Sequence, residues 1–147
     1  MNTVLGVDAC KTGWVGIAWS NPQVNAYHAK TIAELAESTG PVSVIAIDIP
    51  IGFPDHGHRQ ADRLVRGPAP LLPKKSWSGA EARRTLLHEA GLPLTGPLGE
   101  AGTAAVDDVL DAAIAAWTAR RVHDGTAKSL PSPQETFPDT IEAAIWY

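Results

Sequence analysis

The sequence predicts an α/β protein with a mixed sheet: an antiparallel three-strand meander, one parallel strand beside it, and flanking helices. Three observations predict it. Three short strand-like segments precede a capped helical segment, and a continuous apolar run follows that helix. Two of the apolar strands, Val4-Leu5-Gly6-Val7-Asp8 and Val44-Ile45-Ala46-Ile47-Asp48, end in an aspartate. Far downstream an alanine-rich helix opens on a third acidic cluster, Asp107-Asp108-Val109-Leu110-Asp111.

The elements follow in order. Residues 3–8 are apolar and β-branched, which suits a strand. Gly13 breaks the chain before a second strand, Trp14-Val15-Gly16-Ile17-Ala18-Trp19. Asn21-Pro22 marks a turn, and Gln23 to Ala29 alternates as a third strand. Thr31 caps a helix with Glu34 at capping-box spacing, and Gly40-Pro41 stops it. Val42 to Ile49 then reads as a strand covered on both faces. His58 to Arg66 is compatible with a helix ended by Gly67-Pro68. Residues 67–73 hold three prolines and a glycine and form a loop. Ser78 to Ala90 reads as a helix capped by Ser78, with Glu81 three residues on and Gly91 as its stop. Residues 91–103 are a second loop. Ala104 to Val122 is the strongest helix. The tail after Gly125 is loop-like until a short element, residues 139–147, whose aromatics are expected to dock on the domain.

Bulk properties narrow the class. At 147 residues the chain fits a single domain, residues 1–147, able to bury a sizeable core. No apolar run approaches the roughly 20 residues of a membrane span. The N-terminus goes straight into a strand without the regions of a signal peptide, so a cytoplasmic location is expected. Cys10 is the single cysteine, which rules out an internal disulfide and a cysteine-rich zinc site. The net charge of −4 conceals an asymmetry. Seven of the 12 lysines and arginines lie between Arg59 and Arg84 against Asp62 and Glu81, so that stretch carries +5 and the remainder −9. A basic segment beside an acidic site suits a phosphate-bearing substrate; it equally suits a solvated helical surface.

The acids carry the chemistry. A carboxylate at the end of a buried strand sits beside a low-dielectric core, which disfavours its charge. Ligand sites in open α/β sheets lie outside the carboxyl ends of strands, where Asp8 and Asp48 fall. Either alone is also compatible with an Asx turn, Asp8 onto Cys10-Lys11 and Asp48 onto the turn that follows it. On the long helix, Val106, Val109, Leu110, Ala113, Ile114 and Trp117 share one stripe, and Asp107, Asp108 and Asp111 share the opposite side. Asp107 and Asp108 alone would be an ordinary acidic first turn. Asp111 makes a triplet that a solvent face would normally intersperse with lysines. The periodicity does not decide which side meets the sheet, although Ala112, Ala115 and Ala116 permit a close approach to the acidic side. Converging carboxylates suit Mg²⁺ or Mn²⁺, and two ions roughly 3.5–4 Å apart serve displacement at phosphorus.

Lys11 and Thr12, after Asp8, could meet a phosphate. Arg59 and Arg63, spaced along one helical face, and Lys74 with Lys75 are candidate phosphate contacts or exposed ion-pair residues. Trp77 is a candidate stacking platform for a base. Asp55-His56-Gly57-His58 gives weak support for zinc. Cys10 beside Asp8 makes a poor thiolate nucleophile. Walker-type, G-x-G-x-x-G and G-x-S-x-G motifs are missing.

Gly6-Val7-Asp8-Ala9-Cys10-Lys11-Thr12-Gly13-Trp14-Val15 resembles the opening motif of the family called domain of unknown function 429, regarded as predicted nucleases of the ribonuclease-H-like fold. Residues 46–52 resemble its second motif, residues 59–63 the basic segment after it, residues 107–121 its C-terminal helix, and Ile145-Trp146-Tyr147 its ending. Asp108 and Asp111 also match the D-x-x-D helix of bacterial Holliday-junction resolvases. The resemblance implies a shortened ribonuclease-H-like sheet with Asp8, Asp48, Asp108 and Asp111 as metal ligands and catalytic residues. Asp8 would bridge two Mg²⁺ or Mn²⁺ ions. Lys11, Arg59, Arg63, Lys74 and Lys75 would meet a nucleic-acid backbone, the expected partner if the protein is active. The family pattern also includes a histidine-proline-glutamate segment between the second motif and the final helix, and this chain lacks it. That departure leaves a non-catalytic binding module for nucleic acid or protein as the alternative, with a small-molecule phosphate or nucleotide hydrolase as a third. It also exposes a strand edge through which a homodimer could form.

Overall fold

The computed structural model describes residues 2–48, 72–136 and 142–146, the last segment at its backbone except for Ile145 and Trp146. The expected helix at 58–66, the two histidines beside it and most of the 67–73 loop lie outside the described residues. Strands β1 (Val4–Cys10), β2 (Gly13–Ser20) and β3 (Gln23–Ala29) form an antiparallel meander. Helix α1 (Ile32–Thr39) leads into β4 (Val44–Ile47), which pairs parallel with β1. The sheet order is β3-β2-β1-β4. This is the expected α/β architecture with a mixed sheet, and it is consistent with a ribonuclease-H-like fold. Helices α2 (Trp77–Glu89) and α3 (Val106–His123) follow, separated by a 3₁₀ turn at Gly99–Thr103. Among the described residues no helix is long and apolar enough to cross a membrane.

Period-2 alternation gives β1 two different faces. Leu5 and Val7 pack with Ala18 and with Leu35 of α1. Val4, together with Val15, Ile17 and Trp19 of β2, packs beneath α3. Gly6 lies on that same face, and α3 rests directly on it. A Cβ at Gly6 would collide with the Ala112 carbonyl oxygen and the Ala116 amide nitrogen. The helix meets the sheet through small side chains: Ala112, Ala113, Ala116 and Ala119 are all fully buried. At its C-terminal end Arg120 donates to the carbonyls of Asn2 (2.8 Å) and Trp19 (3.1 Å), with its guanidinium 5.1 Å from the Trp19 ring centroid. These contacts anchor α3 at the end of the sheet away from Asp8.

The capping box of α1 is present in full. Glu34 N donates to Thr31 Oγ1 at 3.2 Å and Thr31 N to Glu34 Oε2 at 3.1 Å. Gly40, at φ 69°, ends the helix. Elsewhere the structure corrects the sequence expectations. The cap of α2 is Ser76, whose Oγ accepts from Gly79 N at 3.0 Å, and Ser78 lies inside the helix. Strand β4 is shorter than expected, and among the described residues it is not covered on both faces. It is the outer strand of this sheet, α1 lies over β2 and β3 instead, and Ile45 is 41% exposed. The bulky stripe of α3 is only partly core: Val106 and Ile114 are exposed, because the sheet takes the alanine side. The tail holds a second, two-stranded antiparallel sheet: β5 (Ser129–Thr136) stands in place of the expected loop, and β6 (Glu142–Trp146) falls within the expected element at 139–147. Trp146 is 42% exposed and does not dock as a core residue.

Candidate metal centre

Register brings Asp8 to Asp48. The parallel ladder runs from Val4 beside Val44 to Val7 beside Ile47. The Asp48 amide continues it by donating to the Val7 carbonyl at 2.8 Å. The next residue of β1 is Asp8, on the face that α3 covers. Because Gly6 and the alanines let α3 lie close, Asp111, at the start of its second turn, reaches the same place. One carboxylate oxygen from each of Asp8, Asp48 and Asp111 lies within 4.8 Å of the others. Asp8 is buried, Asp111 half-buried and Asp48 exposed, so the group opens to solvent on the β4 side. Asp8 Oδ1 accepts from the adjacent Ala9 amide at 2.8 Å rather than closing an Asx turn onto Cys10 or Lys11.

The electrostatics are those of crowded anions. Burial first, then the Asp48 charge, push the Asp8 carboxyl up to about 6; the Ala9 hydrogen bond opposes this, and Asp111 and Asp108 add to it. Asp48 is raised by burial and by Asp111, against a lowering effect of Lys74. Asp108 is raised by burial, Asp107 and Asp111. Among the described residues Lys74 supplies the nearest counter-charge. Its Nζ donates to Asp111 Oδ2 at 2.7 Å and stands 3.9 Å from Asp107 Oδ2, and the Asp111 hydrogen bond holds its own ammonium form above the usual lysine range. Lys75 Nζ is also 3.9 Å from Asp107 Oδ2, with its side chain largely in solvent.

Of the four expected ligands, Asp8, Asp48 and Asp111 come together. Asp108 is near enough to act on the Asp8 charge but stands outside the group of three. Lys74, expected at a phosphate, is held by the acids. Asp107, assigned no role from sequence, is the second acid that Lys74 and Lys75 face. The one signal of this was the juxtaposition of the +5 stretch with an acidic helix. Lys11 is exposed in the β1–β2 turn. Arg59 and Arg63 lie outside the described residues. Trp77 is 80% exposed at the start of α2, three residues from Lys74.

Residues 6–69 and 66–136 match the model of the family described as "Protein of unknown function (DUF429)", and the chain belongs to that family. No curated protein and no solved structure matches it.

Proposed function

We propose that this member of the DUF429 family is a divalent-metal-dependent phosphodiesterase acting on nucleic acid, with Asp8, Asp48 and Asp111 as the cation ligands. The observation that carries the proposal is the meeting of three carboxylates, from the ends of β1 and β4 and from α3, within 4.8 Å. The donor set fits a hard cation. Metal–oxygen bonds of about 2.0–2.6 Å allow ligand oxygens to stand roughly 3–5 Å apart, and carboxylate oxygens are what Mg²⁺ and Mn²⁺ prefer. Lys74 already acts as a stand-in cation against Asp111. A bound divalent ion would supply Lewis acidity and a more acidic water at the scissile phosphate.

The chain's own residues do the rest. Asp8, fixed at a strand end beneath α3, offers a pre-positioned ligand whose charge is costly until a cation neutralises it. Asp48, on the solvent side, leaves the centre open to a backbone phosphate. Lys75 and exposed Lys11 supply positive charge at the rim, and Trp77 offers an unstacked base a ring face. A site for two ions additionally needs Asp108 to turn inward, since among the described residues it is the further carboxylate that acts on the Asp8 charge.

The test is cleavage of single- and double-stranded DNA and RNA by the purified chain in Mn²⁺, with Asp8→Asn as control. Cleavage by the wild type and a loss of at least 100-fold in the variant are expected. Equal cleavage by both ends the proposal. Mn²⁺ binding without any cleavage favours the alternative of a non-catalytic binding module, and cleavage confined to nucleotides or small phosphate esters favours the third reading.

A further inference from the structure

This inference rests on the metal-centre reading above and concerns what limits the number of cations there. Lys74 does not come from the helix it contacts. It lies in the turn before α2, and that turn is rigidly built. Ser76 N donates to the Pro73 carbonyl at 3.0 Å, Ser76 Oγ donates to the same carbonyl at 2.8 Å, and Gly79 N donates to Ser76 Oγ at 3.0 Å. Gly79 is where the turn closes on the helix, because a Cβ there would collide with the Pro73 carbonyl oxygen. Helix α2 in turn packs on α3. Two elements thus present the Lys74 ammonium to Asp111 Oδ2 at 2.7 Å, the short end of charge-assisted hydrogen bonds, with Asp107 Oδ2 at 3.9 Å. Lys75, one residue on, is 80% exposed at its side chain and makes only the longer contact, so the placement of Lys74 is specific to that residue.

Asp8 and Asp48 lie on the sheet side of the centre, and Asp111 joins them to the helix side. On the helix side the acids Asp107, Asp108 and Asp111 have the ammonium among them. A second divalent ion on that side would share Asp111 with Lys74 at contact distance, where the two positive charges repel across a single carboxylate. We propose that Lys74 is the built-in second cation of this centre: the substrate-free protein takes one divalent ion, and the Lys74 charge excludes another from the helix side.

The experiment is a titration of MnCl₂ into the full chain, the Lys74→Met variant and the Lys74→Arg variant. Calorimetry gives the number of ions, and the Mn²⁺ electron-paramagnetic-resonance spectrum reports whether two ions are adjacent. Lys74 is half-exposed, and methionine keeps most of its aliphatic stem; circular dichroism checks the fold of each variant. The expected result is one ion in the wild type and in Lys74→Arg, and two in Lys74→Met with the line broadening of a coupled pair. Two ions in the wild type, or one in Lys74→Met, overturns the role given to Lys74 and leaves the metal centre standing. Binding by Lys74→Met alone also overturns it, since the lysine would then exclude the first ion too. No Mn²⁺ binding by any of the three chains overturns the metal-centre reading and this inference with it.

Discussion

At Asp8, folding and the proposed cation site pull in opposite directions. Its carboxyl titrates at about 6 in the folded chain against an ordinary value of 3.8. Between those values the folded state holds the proton more tightly than the unfolded state does. Stability linked to this group is therefore fully present below about pH 4 and is lost as pH rises through 6. A tenfold change in proton affinity corresponds to about 1.4 kcal/mol. The site opens to solvent on the Asp48 side, which screens part of this effect, so Asp8→Asn should stabilise the metal-free protein by about 1–2 kcal/mol at pH 7.5. Asparagine keeps an oxygen for the Ala9 amide, so that hydrogen bond is not lost. Urea denaturation at pH 7.5 and pH 4 checks this: the gain should be present at the higher pH and vanish at the lower. A variant less stable than wild type at pH 7.5 would show that Asp8 serves the fold. The position of this residue was legible in the sequence, because an aspartate directly after four apolar strand residues conflicts with strand propensity and needs a reason. The place of Lys74 was not. It precedes Asp111 by 37 positions, and a lysine in a basic stretch looks the same whether it meets a phosphate or an aspartate.

At the scale of elements, the centre depends on how closely α3 lies on β1. Gly6 is the contact point, with helix backbone standing where its Cβ would be. Gly6→Ala should cost about 3 kcal/mol, the upper end for overpacking a rigid site. It should also weaken Mn²⁺ binding at least tenfold, since any retreat of α3 carries Asp111 away from Asp8 and Asp48. Gly102→Ala is the matched control: its added methyl would meet Leu98 Cβ at 3.7 Å, an ordinary contact, and should change neither property. Thermal melts and Mn²⁺ titrations of the two variants decide the matter, and a Gly6→Ala protein with wild-type affinity would separate helix packing from the site. The alanines at 112, 115 and 116 announced a close approach on the acidic side, but the bulkier stripe through Val106 and Ile114 competed with them as the apparent core face. Strand β5 was not legible for a different reason. Pro131 and Pro133 remove ladder donors, and the register shifts between Leu130 and Glu135, so no clean alternation survives in the sequence.

For the whole molecule, sheet order is what turns three remote stretches of sequence into one place. The meander puts β1 in the interior of the sheet, the α1 crossover returns β4 parallel to it, and the α3 helix closes over both. The meander, the capped α1 and the parallel strand after it were readable from strand patterning, the α1 capping box and the glycine stop, since these local signals agreed with the global arrangement. The closure of α3 over the sheet was not, because its periodicity left open which side meets the strands. The family match reaches from residue 6 to residue 136 in two segments that overlap at 66–69. That Asp8, Asp48 and Asp111 form one cation site is the central claim, and crystals grown in MnCl₂ test it most directly. Anomalous scattering at the manganese edge should show a peak within about 2.0–2.6 Å of a carboxylate oxygen of each residue. Manganese bound only elsewhere, or no peak between these three side chains at saturating Mn²⁺, would contradict it.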